Sequence, residues 1–313
     1  MQSVGTTLEC RELLDQARAT GRTVGLVPTM GALHAGHLSL ITRARAECDV
    51  VVVSIFVNPL QFGDPEDIAH YPRTLDADLA ACAEAGVDVV FAPSVSEMYP
   101  NWPAPIATSV TVSGVSAKWE GASRPGHFDG VVTVVTKLFA IAGPARAYFG
   151  EKDFQQLAVV RQLVTDLSLS MTVIGCETVR EGDGLALSSR NVRLVGDERR
   201  AAVVLSRALR AGADAIEAGT RSALEVGAIM RGVVATEPLV HLDYAVVVRA
   251  DDLIEQRDVT DPTTARLLIA AEVGSVRLID NGPALTVSQP TPPTAPQHHR
   301  DDARNARLLE RIG

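Results

Sequence analysis

The sequence predicts an α/β fold, a doubly wound parallel sheet with a second, smaller α+β domain. From residue 23 to residue 176, short apolar segments alternate with segments whose apolar residues recur at helical spacing, which is typical of parallel sheets with right-handed crossovers. One of them, Asp49–Val57, is apolar almost without interruption, as expected for a strand buried on both faces. Beyond about Arg180 the pattern changes to two Ala-rich stretches followed by closely spaced strands. We therefore expect one domain over residues 1–180 and another over 181–285.

Apolar periodicity and turn residues give the elements of the first domain in order. The predicted strands are Thr23–Val27, Asp49–Val57, Val87–Phe91, Ala145–Phe149 and Met171–Cys176. The predicted helices are His34–Glu47, Thr74–Ala85, His127–Ala142 and Asp153–Leu167. Gly86 and Gly143 follow two of these helices, where glycine commonly ends a helix, and Asp153 is expected to act as the N-cap of the last one.

The second domain begins after a polar connection and is expected to be a small lid. Its predicted helices are 197–218 and 221–236, and its predicted strands are His241–Val248, Ala265–Glu272 and Ser275–Asp280. Gly274 separates the last two strands and favours a tight antiparallel turn. From residue 286 to 313 the chain is rich in proline, and this composition predicts a flexible tail.

The composition excludes several classes of function. The chain has 313 residues and a net charge of −9, which argues against general binding of nucleic acids or anionic membranes. Its longest apolar run is too short to cross a bilayer, and its first residues lack the pattern of a secretory signal. The four cysteines form no CxxC pair, which favours buried thiols in a reducing compartment. We therefore expect a cytoplasmic protein with no nucleic-acid and no membrane partner.

The segment Val27–Leu40 carries the strongest functional signal. It runs from a strand through a Gly-containing turn into a helix whose first residues include His34, Gly36 and His37. A helix N-terminus has unpaired N–H groups and attracts phosphate, and residues three apart share one face. Both imidazoles can therefore contact one phosphate. Two other interpretations stay open: a metal site, although a third ligand is not apparent nearby, and a structural role.

Other polar segments also follow predicted strands, where ligands bind in parallel sheets. Lys152 in Gly150–Asp153 can reach a phosphate as a point charge. The hydroxyls and guanidinium of Leu187–Asn191 can form an anion-binding loop, and Gln61, Gln155 and Gln156 supply neutral amides. His127 can lie at the site or simply cap its helix. Taken alone, Lys152 and the three glutamines have an alternative interpretation as solvated surface residues, and Leu187–Asn191 has one as a plain linker.

Two common nucleotide-binding motifs and one hydrolase motif do not fit the chain. Gly31 and Gly36 have the spacing of a P-loop, but His37 and Leu38 stand where Lys and Ser or Thr are required. The first predicted strand is not followed by GxGxxG, and the chain contains no GxSxG. These absences disfavour a P-loop enzyme, a dinucleotide-binding dehydrogenase and a serine hydrolase of the nucleophile-elbow type.

An ordered set of motifs resembles the pantothenate synthetase family, the pantoate–β-alanine ligases. The motifs are VPTMGALHAGH, VVVSIFVNPLQF, YPRT, GASRPGHF, FGEKDFQQL, DGLALSSRN and RLIDN, and they span residues 20–282. The HAGH stretch alone is similar to the wider HIGH-type nucleotidyltransferase superfamily, which has a Rossmann-like fold. One departure is Leu60, where many members have Met, a swap that conserves volume.

The resemblance implies an ATP-dependent ligase. Pantoate would attack the α-phosphate of ATP to give pantoyl adenylate and pyrophosphate, and the amine of β-alanine would then attack the acyl carbon to give pantothenate and AMP. The resemblance also implies Mg²⁺ bound mainly through phosphate oxygens, with no dedicated protein cage, and a homodimer. Because adenylation needs no covalent nucleophile, positioning and charge neutralisation would suffice.

The resemblance also assigns residues to ligands by motif. His37, His34, Lys152 and Arg190 would be catalytic, with His37 matching the family's general acid, and Met30, Gln61 and Gln156 would contact pantoate and β-alanine. The ATP-binding residues would be Pro28, Thr29, Met30, Gly31, His34, Gly36, His37, Gly150, Glu151, Lys152, Asp153, Val179, Leu187, Ser188, Ser189 and Arg190.

Two other functions are compatible with nucleotide binding. A plain nucleotidyltransferase would release a nucleotidyl product without forming an amide. A catalytically silent module would bind ATP without turning over any acid or amine.

Overall fold

The structure, a computed structural model, describes residues 1–63 and 65–285. The predicted tail, residues 286–313, lies outside the described residues. The strands are β1 Gln2–Val4, β2 Val24–Thr29, β3 Val50–Ile55, β4 Val89–Phe91, β5 Ala145–Gly150, β6 Met171–Cys176, β7 Val240–Arg249, β8 Ala265–Val273 and β9 Val276–Pro283. The helices are α1 Thr7–Ala19, α2 Ala35–Glu47, α3 Pro65–Ala69, α4 Leu75–Glu84, α5 Val95–Met98, α6 Glu120–Ser123, α7 His127–Ala142, α8 Phe154–Asp166, α9 Gly196–Ala201, α10 Val204–Glu217 and α11 Ala223–Val234.

The first sheet is parallel and has the strand order β1-β4-β3-β2-β5-β6. From β2 the chain moves outward on one side to β3 and β4, and β5 and β6 lie on the other side. The direction therefore reverses between β2 and β5, which is where parallel sheets of this type bind ligands. The doubly wound parallel sheet is confirmed.

Helices cover both faces of this sheet. Along β3, Val50 and Val52 pack with α1, α7 and α8, whereas Val51 and Val53 pack with α2 and α4. Successive side chains of a strand point to opposite faces, so both sets are buried at once. This explains why the segment is almost continuously apolar.

The second sheet is antiparallel and has the order β7-β8-β9. Helices α10 and α11 pack on it around a core of their own, which includes Leu205, Met230 and Leu267. Gly274, with a φ of +58°, forms the turn between β8 and β9, as expected. The smaller α+β unit is therefore present, and we keep residue 180 as the proposed boundary between the two domains.

Two parts of the chain depart from the sequence-based expectations. Strand β1 and helix α1 were not predicted, although Thr6 and Glu9 form a capping box at the start of α1, a pattern readable in sequence. The single helix expected over 197–218 is wrong: α9 and α10 are separate because the Val203 N–H bonds to the Arg200 carbonyl, three residues back, which tightens the turn.

The structure also tests the expectations for the cysteines and for membrane-spanning helices. All four cysteines are buried free thiols. Among the described residues, every helix is too short or too polar to span a membrane.

Candidate active site

The loop after β2 is held by a buried carboxylate. Asp78 on α4 is 3% exposed, and its oxygens accept the N–H groups of Ala32 and Leu33 at 3.0 and 2.8 Å. Gly31 has a φ of +81°, and a Cβ there would lie 2.9 Å from Asp78 Oδ2. Glycine at position 31 therefore allows the loop to adopt this conformation. Motif reasoning missed Asp78. The sequence signal that could have found it is its position four residues before the buried Cys82, on the same face of the helix.

The two histidines meet at the start of α2. His34 is the N-cap, and its Nδ1 accepts the Gly36 N–H at 3.1 Å, while His37 Nδ1 accepts the His34 N–H at 3.3 Å. A Cβ on Gly36 would lie 2.8 Å from the His34 ring, so glycine is needed for this contact. Because a backbone N–H can only donate, each Nδ1 is unprotonated, and each neutral ring carries its proton on Nε2.

Burial keeps both rings neutral. Burial and the nearby Lys152 lower the pKa of His34. Burial and the neighbouring His34, whose ring centroid is 4.1 Å away, lower the pKa of His37 to about 4. Neither ring is therefore a cation at neutral pH in the ligand-free chain. Both are donors of an Nε2–H to whatever occupies the adjacent cavity.

We expect His37 to stay neutral at pH 6, where an imidazole with the usual pKa of 6.5 is mostly protonated. Nitrogen NMR of the ligand-free protein should show the Nε2–H tautomer at that pH. Because the unfolded chain binds this proton below about pH 6.5 and the folded chain only near pH 4, the ring lowers the free energy of unfolding as the pH falls across that interval. An imidazolium signal from His37 at pH 6 would contradict this expectation.

Gln61 lies in a chain of hydrogen bonds that ends at Met30. Tyr99 Oη donates to Asn58 Oδ1 at 2.8 Å, Asn58 Nδ2 donates to Gln61 Oε1 at 3.1 Å, and Gln61 Nε2 donates to Met30 Sδ at 2.9 Å. Asn58 and Tyr99 are 1% and 2% exposed. These two residues, which motif reasoning did not select, fix the orientation of the Gln61 amide.

His127 lies beside the site and contacts the backbone of Gln61. Its Nδ1–H donates to the Gln61 carbonyl at 2.8 Å, and its Nε2 faces Arg124 Nη1 at 3.2 Å. Burial and the Arg124 charge lower the pKa of His127 to about 4. The neutral ring therefore helps to hold the turn that presents Gln61.

The two adjacent glutamines at the start of α8 have different environments. Gln155 is buried, and its amide binds the carbonyls of Val115 and Lys118 and the N–H of Glu120 at 2.8–3.0 Å. Gln156 lines the cavity. The two residues lie on different faces of the helix, and Gln155 holds the backbone of a neighbouring segment.

Lys152 and Asp153 lie on the turn Glu151–Asp153, directly after β5. Asp153 is the N-cap residue of α8, as predicted, although its side chain makes no capping hydrogen bond. Asp153 Oδ1 instead accepts from Lys152 Nζ at 3.3 Å. Burial raises the pKa of Asp153, but the Lys152 and Arg190 charges outweigh burial and lower it overall. Asp153 is thus an anion within a cationic site.

The segment after Val179 brings hydroxyls and a guanidinium to the same place. The Leu187 N–H donates to the Val179 carbonyl at 2.9 Å. Ser188 Oγ accepts the Arg190 N–H at 3.2 Å and caps the short turn Ser189–Arg193. Leu187 also lies near Gly36: a Cβ added to Gly36 would be 3.9 Å from the Leu187 Cβ. The loop therefore faces the N-terminus of α2.

A single cavity of about 210 Å³ collects these groups. Of the residues predicted for the site, Gly31 and Glu151 are not among those lining it: Gly31 turns the loop, and Glu151 pairs with Arg266 at 3.1 Å. The lining residues from the prediction are Pro28, Thr29, Met30, His34, Gly36, His37, Gln61, Gly150, Lys152, Asp153, Gln156, Val179, Leu187, Ser188, Ser189 and Arg190. The inner wall is apolar, with Phe56, Val131, Val134, Val135 and Leu138.

A cleft of about 700 Å³ lies beside this cavity, between the two sheets. Lys152, Asp153, Ser188 and Arg190 line both spaces, so a long ligand can extend from one into the other. The described residues contain no group of three or more His, Cys, Asp or Glu side chains placed to hold a metal ion. The site can therefore bind an elongated anion next to a small, partly apolar molecule with hydroxyl or carboxylate groups.

Comparison with known proteins gives consistent matches. Residues 2–283 match the model of a family described as pantoate-beta-alanine ligase. A pantothenate synthetase from Deinococcus radiodurans is 54% identical over 284 residues, which cover 89% of this chain and 100% of that protein. One from Roseiflexus sp. is 53% identical over 270 residues, covering 86% and 95%.

Two solved structures share the fold over most of the chain. The crystal structure of pantothenate synthetase from Thermus thermophilus has a TM-score of 0.85 and 48% identity, covering 91% of this chain and 100% of its own. A pantoate-beta-alanine ligase from Francisella tularensis, described as complexed with beta-gamma ATP and beta-alanine, has a TM-score of 0.74 and 35% identity, covering 91% and 98%.

Proposed function

The chain belongs to the pantoate-β-alanine ligase family, and we propose how its cavity carries out the reaction of that family. The enzyme condenses (R)-pantoate with β-alanine in an ATP-dependent reaction of pantothenate biosynthesis, giving pantothenate, AMP and pyrophosphate. The observation that carries the proposal is that His34, His37, Lys152 and Arg190 line one cavity together with apolar side chains and the amides of Gln61 and Gln156. Both imidazoles carry their proton on Nε2.

We propose that the reaction has two steps. A carboxylate oxygen of pantoate attacks the α-phosphorus of ATP, the bond to the β-phosphate oxygen breaks, and pyrophosphate leaves. The amine nitrogen of β-alanine then attacks the acyl carbon of pantoyl adenylate, the C–O bond to AMP breaks, and the amine loses a proton. The chain binds and orients both reactants, since adenylation needs no covalent nucleophile.

ATP would lie along the α2 N-terminus and extend into the cleft. His34 and His37 would donate their Nε2–H groups to phosphate oxygens, where preorganised donors stabilise developing charge. Lys152 and Arg190 would add positive charge, with Ser188 and Ser189 closing the loop on the triphosphate. The backbone of Val179 would contact adenine. The remaining ATP contacts would come from Pro28, Thr29, Met30, Gly36, Gly150 and Asp153, which line the cavity.

Pantoate would occupy the cavity. Gln61 and Gln156 would bind its hydroxyl and carboxylate groups, with Met30 close to the reacting carboxylate. The apolar wall of Val131, Val134 and Leu138 suits the branched carbon chain. β-Alanine would reach the acyl carbon from the same space.

The residues of this site could hold Mg²⁺ together with bound ATP. Asp153 is an anionic carboxylate that lines both the cavity and the cleft, and one or two carboxylates plus phosphates are a common Mg²⁺ environment. We propose Asp153 as its protein ligand. When bound, the ion neutralises phosphate charge. We further propose a homodimer, from the family resemblance, and a cytoplasmic location, which suits the four buried free thiols.

Pantoate-dependent exchange of labelled pyrophosphate into ATP, with Mg²⁺ and no amine, tests the proposal. Exchange is expected with pantoate and absent without it, because the first step is reversible and requires only the acid. Adding β-alanine should then release pantothenate and AMP in equal amounts. Exchange without amide formation would favour a nucleotidyltransferase, and ATP binding with neither reaction would favour a silent nucleotide-binding protein.

A further inference from the structure

Asn281 on β9 uses its whole side-chain amide to hold the turn that carries Lys152. It is 3% exposed, and its Nδ2 donates to the carbonyls of Glu151 and Lys152 at 2.9 and 2.8 Å. Its Oδ1 accepts from Arg266 Nε and Nη2 at 2.8 and 2.6 Å. Two donors and two acceptor sites are all that a carboxamide offers, so its orientation is fixed.

Arg266 on β8 reinforces the same turn from a second direction. Its Nη2 lies 3.1 Å from Glu151 Oε2, and its guanidinium lies over the Phe154 ring, 4.1 Å from the centroid. The Arg266 side chain is 11% exposed. An Arg that is both stacked and paired is strongly constrained. The second sheet therefore contacts the Glu151 side chain, the carbonyls of Glu151 and Lys152, and the ring of Phe154, which follows the turn.

Within the first domain, the turn joins β5 directly to α8. Glu151–Asp153 is a single 3₁₀ turn, and α8 begins without a side-chain cap. Its carbonyls face β9, whereas the Lys152 side chain lines the cavity and the cleft. Asn281 thus supplies two hydrogen bonds to the backbone that carries the Lys152 side chain.

We propose that Asn281 is a positioning residue for Lys152, acting from the second domain on the adenylation step. This inference rests on the proposed role of Lys152 at the phosphates. The inference also assigns a role to the RLIDN segment. Its Asp280 pairs with Arg180 through two contacts of 2.7 and 2.9 Å, and its Asn281 binds the turn that carries Lys152.

The test measures pantoate-dependent pyrophosphate exchange in Asn281→Ala and Asn281→Asp. Asp has the same size and keeps the oxygen that Arg266 binds, but it cannot donate to the two carbonyls. Both variants should slow exchange about tenfold, since small misplacements of catalytic groups are costly and Arg266 still holds Glu151. The melting temperature of each variant shows that the chain is folded, and Asn281→Asp tests the donor if Asn281→Ala fails to fold.

A double-mutant cycle with Lys152→Ala separates positioning from general structure. If Asn281 acts through Lys152, the tenfold effect of Asn281→Ala should vanish when Lys152 is already absent. An equal effect in both backgrounds would overturn the inference, as would wild-type exchange by Asn281→Asp. Full-rate exchange by Lys152→Ala alone would instead overturn the proposed role of Lys152.

Discussion

Replacement of His37 with alanine is expected to slow pantoate-dependent pyrophosphate exchange by ~10²–10³, the scale for loss of one preorganised donor at a developing charge. The substitution removes the Nε2–H that faces the cavity and also the Nδ1 that accepts the His34 N–H. Rapid-quench measurement of adenylate formation at saturating ATP separates this loss from weaker ATP binding.

A glutamine at the same position distinguishes a neutral donor from a proton donor. Its side-chain amide can place an N–H near the His37 Nε2 position but cannot transfer a proton at neutral pH. Since burial lowers the pKa of His37 to about 4, we expect His37→Gln to recover part of the rate lost in His37→Ala. Equal rates for the two variants would favour the general-acid role implied by the family. His241→Ala, at an exposed histidine on β7, is the matched control and should retain the wild-type rate.

Gly130→Ala is expected to damage both stability and catalysis. A Cβ at Gly130 on α7 would lie 2.2 Å from the Leu60 carbonyl oxygen and 2.6 Å from the Gln61 nitrogen. Because both atoms belong to the backbone, either the helix or the turn must move. Overpacking of this kind lowers the free energy of unfolding by about 1–3 kcal/mol, and displacement of Gln61 should reduce kcat/KM for pantoate by about 10²-fold.

Gly232→Ala is the matched control for this substitution. Gly232 lies inside α11, and its Cβ would have open space, so the helix should gain up to about 1 kcal/mol. Urea denaturation and steady-state kinetics with pantoate compare the two variants. A Gly130→Ala enzyme with the stability and pantoate kinetics of the wild type would contradict the close packing of α7 on the turn.

Local pattern was enough to predict the groups that share one helix or follow neighbouring strands. His34 and His37 are three residues apart, so one helix turn brings them together. The loops after β2, β3 and β5 converge because those strands are neighbours in the sheet. What sequence reasoning lacked was contact across long separations: Asp78 reaches a loop 45 residues earlier in the chain.

Motif matching also could not tell lining residues from supporting ones. Residue chemistry alone leaves Gln155 and Gln156 as equivalent amides, and only the resemblance selected Gln156. The rotation of about 100° per helical residue turns Gln155 inward and Gln156 to the cavity. Gly31 and Glu151 belong to matched motifs because they shape or anchor loops. Their roles depend on Asp78 and Arg266, whose approach only the folded chain defines.

The anchoring of the Lys152 turn by β8 and β9 has a consequence for synthesis on the ribosome. Domains fold as their residues emerge, and the strands that carry the cavity walls are complete once residue 176 has left the exit tunnel. The partners of Glu151 and Lys152 emerge much later, at Arg266 and Asn281. A nascent chain can therefore form the part of the cavity wall that lies on the first sheet and its helices before it can fix the Lys152 turn. Translation must pass residue 281 before the site is fully assembled.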